Sequence, residues 1–243
     1  MRMNNTEEHF NTYNLEIIYE DNHLIALNKS NHDLVQGDKT GDTSLSEKVK
    51  DYLKKKYQKP GNVFVGVVHR LDRPVSGVVL FAKTSKALTR LNRMFKEKAV
   101  DKTYWAIVKN KPSQPVGYLR HYMVRDHKKN KSFAHPKPRK DAKEAELSYK
   151  ILKESDQYYL LEVKLHTGRH HQIRSQLARI GSPVKGDLKY GFARSNKDGG
   201  ICLHSRAMSF VHPVKKENIT LIANPPKDNL WDFFLYSREN SPL

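Results

Sequence analysis

The sequence predicts a globular protein in which short strands outnumber helices and alternate with them irregularly. Hydrophobic residues make up 37% of the 243 residues, and they recur in periodic runs such as residues 63–68 and 77–82. A packed sheet requires runs of this kind, and a disordered chain lacks them. A chain of this length forms one large domain or two small ones, with room for a hydrophobic core in either case.

The first strands follow a polar beginning without periodicity. We therefore expect a flexible tail at residues 1–14 and a folded domain at residues 15–243. Aliphatic side chains in residues 15–19 and 23–28 predict two short strands, because the pair Asp21-Asn22 between them favours a turn.

Two helices are predicted from capping residues and helical spacing. Ser44 and Glu47 form a capping-box pattern, and apolar residues then recur at helical spacing until Pro60 stops the run. Thr84 can cap a second helix, in which the apolar residues share one face.

The segment HRLDRPVSG, residues 69–77, lies between two strand-like runs at residues 63–68 and 78–82. Its proline, serine and glycine suit a turn, so we predict a loop between packed elements.

The second half of the chain continues the mixture of strands and helices. Further strands are predicted at residues 102–108, 146–152 and 158–165, and a helix from about residue 170 to 180. Residues 126–143 contain seven basic residues, two acidic residues and two prolines. We interpret this stretch as a mobile loop that could contact phosphate groups.

The charge balance favours an anionic partner. Lys and Arg number 44 against 26 Asp and Glu, a formal net charge of +18, and nucleic acid is the leading candidate. The single cysteine, Cys202, cannot form an intramolecular disulfide, which fits a reducing cytoplasm. We expect neither export nor a membrane span, since no signal-like run opens the sequence and no stretch of about 18 apolar residues occurs in it.

Asp72 is the first candidate for chemistry. It lies between Arg70 and Arg73 in the loop at residues 69–77. Nearby guanidinium groups keep such a carboxylate ionised, which suits a nucleophile or a base rather than a proton donor. A structural pair of arginine and aspartate is the other interpretation, and only the companion motifs can decide between them.

Three segments, taken together, resemble the motifs of the RluA family of pseudouridine synthases. They are HRLDRPVSG, KTYWA and TGRHHQIR, in the family's order and at similar intervals. The opening EIIYEDNHLIALNKS and the late LHSRAMSFVHP also resemble family segments, so the resemblance covers about residues 15–232. It implies an α+β catalytic domain with the pseudouridine synthase fold, built on a mixed, largely antiparallel β-sheet flanked by helices, with RNA in a central basic cleft.

The resemblance implies a role for each matching residue. Asp72 corresponds to the catalytic aspartate, Tyr104 to the active-site aromatic residue, and Arg174 to the basic residue paired with Asp72. Arg70 matches the arginine that enters the RNA stack when the target uridine flips out. The family reaction detaches uracil from its ribose, turns it while bound and rejoins it through ring carbon 5, without cofactor or metal. Whether Asp72 adds to the ring, attacks the ribose or removes a ribose proton stays open.

Further basic or polar residues are candidates for contacts with RNA phosphates. Arg73 follows Asp72 directly, and Thr167 and Arg169 stand at the predicted start of a helix. The remaining candidates are Lys185 and Lys189.

The chain departs from the family pattern at several positions. Lys29-Ser30 stands where Lys-Pro is usual, Val75 replaces a threonine, and Gln176 stands where a histidine is common. Only about 14 residues precede the core, so we expect the family form without an amino-terminal RNA-binding appendage. A monomer is expected because no coiled-coil heptad occurs.

Two other functions were weighed. A non-catalytic RNA-binding or chaperone protein could keep the same fold, but the three matching active-site residues argue against it. A nuclease usually needs clustered carboxylates for a metal ion or a histidine acid-base pair, and the motifs supply neither clearly. The adjacent His170-His171 do not suggest a metal site, since adjacent helical positions point about 100 degrees apart. Ribosomal and transfer RNA are both family substrates, and no residue identifies the target nucleotide.

Overall fold

The computed structural model describes residues 11–37 and 41–236. Within these residues the strands are β1 (Ile17–Glu20), β2 (Leu24–Lys29), β3 (Gly66–Val67), β4 (Ser76–Ala82), β5 (Asp101–Val108), β6 (Val116–Asp126), β7 (Lys131–His135), β8 (Lys143–Glu154), β9 (Tyr159–Leu165), β10 (Leu203–Val211) and β11 (Asn218–Ile222). The helices are α1 (Leu45–Lys56), α2 (Ser85–Lys96), α3 (Gln172–Arg179) and α4 (Asn229–Tyr236), with a 3₁₀ helix at Leu188–Tyr190. In the part of the chain described, no helix is long and apolar enough to cross a membrane.

The chain folds into two compact units. The first consists of the chain up to Lys102 together with Ser205–Ala223, and the second of Thr103–His204 together with the chain from Asn224 onward. Each unit contains antiparallel strand pairs, which confirms the predicted mixture of helices with a largely antiparallel sheet.

The predicted tail at residues 1–14 lies mostly outside the described residues. Its last four residues form a turn, because the side chain of Asn11 bonds both backbone groups of Leu15 at 2.6 and 2.8 Å. Residues 11–14 are therefore tied to the start of the predicted domain, and the boundary at residue 15 stays a prediction.

In the first unit the strands follow the order β1-β2-β4-β10, with β11 paired to β10 and β3 to β4. The pairings of β1 with β2, β2 with β4, β3 with β4, and β10 with β11 are antiparallel. Every residue of β4 is buried. Its side chains join those of β2, β10 and α2 in one hydrophobic cluster, which includes Leu24, Leu80, Leu91 and Phe210.

Both helices of the first unit begin at the predicted capping residues. The hydroxyl of Ser44 accepts the N–H of Glu47, and the Glu47 carboxylate accepts the N–H of Ser44 at 2.9 Å, which completes the capping box of α1. Thr84 caps α2 by accepting the N–H of Ala87 at 3.2 Å. Both predicted helices are confirmed.

Gly77 permits a close approach of two strands directly after the Asp72 loop. Its φ is +110°, and a Cβ atom there would lie 2.3 Å from the carbonyl oxygen of Ser205 on β10. Only glycine meets both requirements without strain.

In the second unit the sheet has the order β5-β9-β8-β6-β7, and all four pairings are antiparallel. α3 packs against one face of this sheet, where the buried amide Nε2 of Gln176 donates to the carbonyl oxygens of Leu119 and Ala145 at 3.1 and 3.2 Å. Gln176 therefore joins α3 to the sheet. The helix α4 contributes Trp231 and Phe234 to a second cluster of buried hydrophobic residues.

The prediction of a mobile loop over residues 126–143 was wrong. β6 ends at Asp126, which caps a tight turn by accepting the N–H of Lys129 at 2.9 Å, and the chain returns as β7. The inward-facing residues of β7, Ser132 and Ala134, are small and give no strand signal in the sequence. Lys128, Lys129 and Lys131 thus stand on a hairpin, whereas Lys137, Arg139 and Lys140 lie in the irregular segment between β7 and β8.

Two other predicted boundaries need correction. The strand predicted at residues 63–68 is confined to β3, whose two residues are the only ones of this run that pair with β4. The helix predicted from about residue 170 begins at Gln172, since His171 has a φ of +52° and cannot continue a helix toward the amino terminus.

Candidate active site

The first part of the site is the loop between β3 and β4 that carries Asp72. Leu71 and Val75 are buried on either side of it, whereas Asp72 itself is half-buried. The N–H of Val75 donates to the carbonyl oxygen of Asp72 at 3.0 Å and closes a turn over Arg73-Pro74. The loop is therefore anchored by apolar side chains and still leaves its carboxylate partly open to solvent.

The ammonium group of Lys29 holds this turn from the interior of the unit. Lys29 is 1% exposed, and its Nζ donates to the carbonyl oxygens of Ser30, Arg73 and Val75 at 2.7, 2.8 and 2.7 Å. Burial lowers the pKa of Lys29 to about 7, while nearby carboxylates, Asp72 among them, act in the opposite direction. Two of these three bonds, to Arg73 and Val75, hold the backbone on both sides of Pro74.

His69 fastens the other end of the loop to β4. β3 pairs with β4 only at Ala82 and Phe81, and the next inward N–H, that of Leu80, donates instead to Nε2 of His69 at 3.0 Å. The ring stacks on Phe95 with centroids 5.2 Å apart. Burial lowers the pKa of His69 to about 4, so the ring is neutral and Nε2 can accept. The side chain thus satisfies a buried backbone group that would otherwise lack a partner.

The arginines beside Asp72 are both exposed. Nη2 of Arg73 lies 2.7 Å from the carboxylate of Asp42, and its Nε donates to the carbonyl oxygen of His32 at 3.1 Å. Arg70 is accessible at the start of the loop. Both side chains stand where an anionic partner can reach them.

Tyr104 belongs to the second unit, in the middle of β5. It is 7% exposed, and it lies opposite Val163 of β9 in the strand register. Its neighbours Thr103 and Trp105 point to the other face of the sheet, because successive side chains of a strand alternate. Tyr104 therefore lies on the buried face.

Arg174, on α3, is held by a carboxylate that the sequence did not suggest. Its Nε and Nη2 donate to the two oxygens of Asp187 at 2.7 and 2.9 Å, and the two side chains are 5% and 1% exposed. The guanidinium also lies over the ring of Tyr190, 5.1 Å from its centroid. The bidentate pair fixes the plane and the orientation of the guanidinium.

Tyr190 connects this arginine with the residues before α3. Its hydroxyl accepts the N–H of Ser132 at 2.8 Å and shares a hydrogen bond of 2.9 Å with Nδ1 of His171. Burial, and then the Arg174 charge, lower the pKa of His171 to about 2, so the ring is neutral. The ring of His170 stacks on that of His171, with centroids 3.8 Å apart.

The remaining predicted RNA contacts have different environments. The hydroxyl of Thr167 is buried and donates to Oε1 of Gln172 at 2.8 Å, so it serves the start of α3. Arg169 and Lys189 are exposed, and each also bonds a backbone carbonyl oxygen. Nζ of Lys185 is half-buried and donates to the side chain of Asn196 at 2.7 Å.

The predicted site residues fall in both units. Asp72 stands in the first unit, and Tyr104 and Arg174 stand in the second, so the predicted ion pair of Asp72 with Arg174 stays a prediction. Sequence reasoning missed the supporting residues Lys29, His69, Asp187 and Tyr190. Two signals in the sequence could have found them: Lys29 ends an aliphatic strand, and Asp187 directly follows a glycine in a turn.

A metal centre was not expected in this chain. Over residues 11–37 and 41–236, no three histidine, cysteine, aspartate or glutamate side chains are grouped so that they could hold a metal ion. The adjacent rings of His170 and His171 stack on each other rather than point apart, because His171 precedes the helix.

A family model described as RNA pseudouridylate synthase matches residues 23–179. This range includes the Asp72 loop, Tyr104 and Arg174, and it ends before Asp187 and Tyr190.

Several curated proteins are similar over most of this chain. A tRNA pseudouridine synthase C of Vibrio parahaemolyticus is 31% identical over 245 residues, which cover 89% of this chain and 92% of the relative. A ribosomal large subunit pseudouridine synthase C of Buchnera aphidicola is 31% identical, over 85% of this chain and 66% of the relative. An uncharacterized RNA pseudouridine synthase of Aquifex aeolicus is 36% identical over 73% of this chain, and the match spans only 58% of that relative's length.

A solved structure shares the fold. Human RNA Pseudouridylate Synthase Domain Containing 4 superposes with a TM-score of 0.75 at 21% sequence identity, over 90% of this chain and 92% of the human chain.

Proposed function

Because the chain belongs to the RNA pseudouridylate synthase family, in its RluA branch, we propose that it isomerises specific uridines of structured RNA, with Asp72 as the catalytic carboxylate. The family is one of RNA pseudouridine synthases, which are isomerases. The role of each residue and the choice of substrate belong to the proposal.

The observation that carries the proposal is the way the Asp72 loop is built. A carboxylate must be accessible to react, yet it must be held in place to react efficiently. Asp72 is half-buried, while Lys29 and His69 fix the backbone on both sides of it. A carboxylate that served only a structural ion pair would not require a buried ammonium group bonded to its turn.

The proposed reaction exchanges one bond of the nucleotide for another. The bond between N1 of uracil and C1′ of ribose breaks, and a bond between C5 and C1′ forms. The proton on C5 is lost and N1 gains one, so the composition of the nucleotide does not change. Asp72 can serve as nucleophile toward the ring or the ribose, or as base toward a ribose proton.

Tyr104 and Arg174 are assigned supporting roles in the same reaction. An aromatic ring can stack on an extruded uracil, and a phenol hydroxyl can exchange the C5 proton. A guanidinium has five N–H groups and can bind two carboxylates at once, so Arg174, which holds Asp187 through Nε and Nη2, is suited to orient the carboxylate of Asp72 as well.

RNA recognition rests on charge and on base flipping. The net charge of +18 favours a polyanionic substrate. A stacked uridine must leave the helix to react, at a cost of a few kcal/mol, and the exposed Arg70 can fill the space that it leaves. Arg73, Arg169, Lys185 and Lys189 are the proposed phosphate contacts.

The names of the relatives point to two classes of substrate. The relative from Vibrio parahaemolyticus acts on transfer RNA by its name, and that from Buchnera aphidicola on the large ribosomal subunit. We propose one of these two classes as the substrate. We further propose a monomer without cofactor in the cytoplasm, where the thiol of Cys202 stays reduced.

Release of tritium from RNA labelled at C5 of uracil tests the proposal, because isomerisation must expel that hydrogen. Wild type and Asp72→Asn are compared on unmodified transfer and ribosomal RNA in the presence of EDTA. We expect release by wild type, and a loss of at least about a thousandfold in the variant, which keeps the size of the side chain and loses its charge.

Two controls separate the other functions. RNA length is followed on denaturing gels, since strand cleavage without tritium release would indicate a nuclease. RNA affinity of Asp72→Asn is measured as well, because a protein that binds RNA equally in both forms and never releases tritium would be a binding protein.

A further inference from the structure

The second unit contains a basic cavity that none of the proposed catalytic residues lines. Its volume is about 530 Å³, and it lies between the β6–β7 hairpin and the segment that leads into α3. Arg125 of β6, Lys143 of β8 and Arg169 contribute permanent positive charges to it, and Asp141 contributes a carboxylate. Three cations against one anion favour a negatively charged ligand.

The two arginines of this cavity are held by bonds that leave N–H groups for a ligand. Nε of Arg169 donates to the carbonyl oxygen of Glu144 at 2.9 Å, and Nη2 of Arg125 lies 3.3 Å from the side-chain oxygen of Asn130. Each arginine has five N–H groups, and a fixed guanidinium loses less freedom when it binds a phosphate. The geometry is therefore suited to an oxyanion such as a phosphate.

The cavity lies on the sheet face that also carries α3. Side chains alternate along β6, so Arg125 shares a face with His121, which bonds Gln176 of α3 at 3.0 Å. Arg120 stands on the opposite face, where it pairs with Glu144. The cavity and the helix that carries Arg174 are thus accessible from the same side of the sheet.

A chain of contacts connects the cavity with Arg174. His170 lines the cavity and stacks on His171, His171 bonds the hydroxyl of Tyr190, and the Tyr190 ring lies under Arg174. The cavity is therefore connected with Arg174 through three side chains and does not include it.

We propose that this cavity binds a phosphodiester group of the substrate RNA, outside the nucleotide that reacts. The inference rests on the proposed function, because it assigns a further contact to the same substrate. The phosphate would position the RNA strand and would carry no base sequence information.

The test compares Arg125→Ala and the double variant Arg125→Ala/Lys143→Ala with Arg120→Ala. The control removes an arginine from the same strand and changes the net charge equally, on the opposite face. Affinity is measured by fluorescence anisotropy between low and physiological salt, with end-labelled transfer and ribosomal RNA fractions from cells that lack the protein. Thermal unfolding of each variant verifies that it is folded.

We expect Arg125→Ala to weaken binding about fivefold to tenfold at physiological salt, and to reduce the slope of log affinity against log salt by about 1. The double variant should weaken binding further without a larger change in slope, because the slope follows the number of phosphates neutralised and the cavity takes one; Arg120→Ala should stay within about twofold of wild type. Equal effects of Arg125→Ala and Arg120→Ala would overturn the inference.

Calorimetry with inorganic phosphate distinguishes the two sources of a phosphate group. If wild type binds free phosphate, Arg125→Ala does not, and both bind RNA equally, the cavity serves a free anion and the inference fails. The proposed function is tested separately by tritium release, because RNA affinity can be measured whether or not the protein releases tritium. If wild type releases tritium and Arg125→Ala binds RNA as tightly as wild type, the phosphate site in the cavity is contradicted and the proposed function is not.

Discussion

Asp72, in the first unit, stands on a loop that is held through backbone atoms, whereas Arg174, in the second, is held by another side chain. Lys29 bonds carbonyl oxygens on both sides of Pro74, and His69 accepts a backbone N–H of β4. Arg174 is paired with the buried carboxylate of Asp187. The proposed catalytic carboxylate is therefore positioned through the backbone of its loop, while the guanidinium is positioned by an oppositely charged side chain.

The difference predicts how each region responds to mutation. A backbone-held loop tolerates changes of its exposed side chains, because the anchoring bonds reach the main chain. A buried pair does not tolerate the loss of one partner, since the other charge is then left unpaired.

The largest expected effect follows from breaking the buried pair. Asp187→Ala should lower the free energy of unfolding by about 3–5 kcal/mol, because the buried guanidinium of Arg174 loses the carboxylate that binds both its Nε and its Nη2. Urea denaturation measures this change. Tritium release should also fall, since the guanidinium loses its fixed orientation.

Two further variants complete that experiment. Asp198→Ala removes an exposed carboxylate farther along the chain, and should cost less than about 1 kcal/mol. Adding Arg174→Gln to Asp187→Ala should recover part of the lost stability, because the unpaired charge is gone. Additive losses in the double variant would mean that the two side chains are not coupled.

The pH dependence of the free energy of unfolding tests the anchoring of the Asp72 loop by His69. The pKa of His69 is about 4 in the folded chain, below its ordinary value of 6.5, so the folded state resists protonation. Its contribution to stability is complete above pH 6.5 and is lost as the pH falls toward 4. The loss should be on the order of 1–3 kcal/mol.

His69→Gln identifies the part of this loss that belongs to His69. The amide oxygen of glutamine can still accept the N–H of Leu80 but does not titrate, so urea midpoints of the variant should fall less between pH 6.5 and 4. His127→Gln, at an exposed histidine, is the matched control and should follow wild type. Parallel curves for wild type and His69→Gln would show that His69 already binds a proton in the folded state.

The sequence predicted the helices that begin with a local capping bond better than it predicted the residues that support the Asp72 loop. Ser44, Glu47 and Thr84 act locally, within four residues, so their capping bonds could be predicted from spacing alone. Lys29 and Arg73 are 44 residues apart, and no periodicity connects them. A lysine is usually exposed, and its burial against three carbonyl oxygens depends on how the strands pair.

The hairpin at β6 and β7 was missed for a related reason. Strand prediction depends on large apolar residues at alternate positions, and the inward residues Ser132 and Ala134 are small. The tyrosine that bonds the N–H of Ser132 is Tyr190, 58 residues away. The basic residues therefore indicated exposed side chains and gave no signal that the two strands pair.

The smallest expected effect concerns the exposed arginine beside Asp72. Arg73 and Asp42 form an ion pair in which the side chains are 46% and 51% exposed, so Asp42→Asn should change the free energy of unfolding by less than about 1 kcal/mol. If Arg73 contacts a phosphate, release from Asp42 should strengthen RNA binding about twofold to threefold, measured by anisotropy at low salt.

A matched control separates this local effect from the change in net charge. Asp156→Asn removes one exposed carboxylate from the turn between β8 and β9, in the other unit, and raises the net charge by the same amount. An equal gain in both variants would indicate a general charge effect, and Arg73 would then have no particular role. A gain in RNA affinity that is confined to Asp42→Asn, and that is lost when Arg73→Ala is added, would assign a phosphate contact to Arg73. The side chain of Arg73 could then exchange its carboxylate partner for a phosphate, because Lys29 holds the backbone of the turn in place.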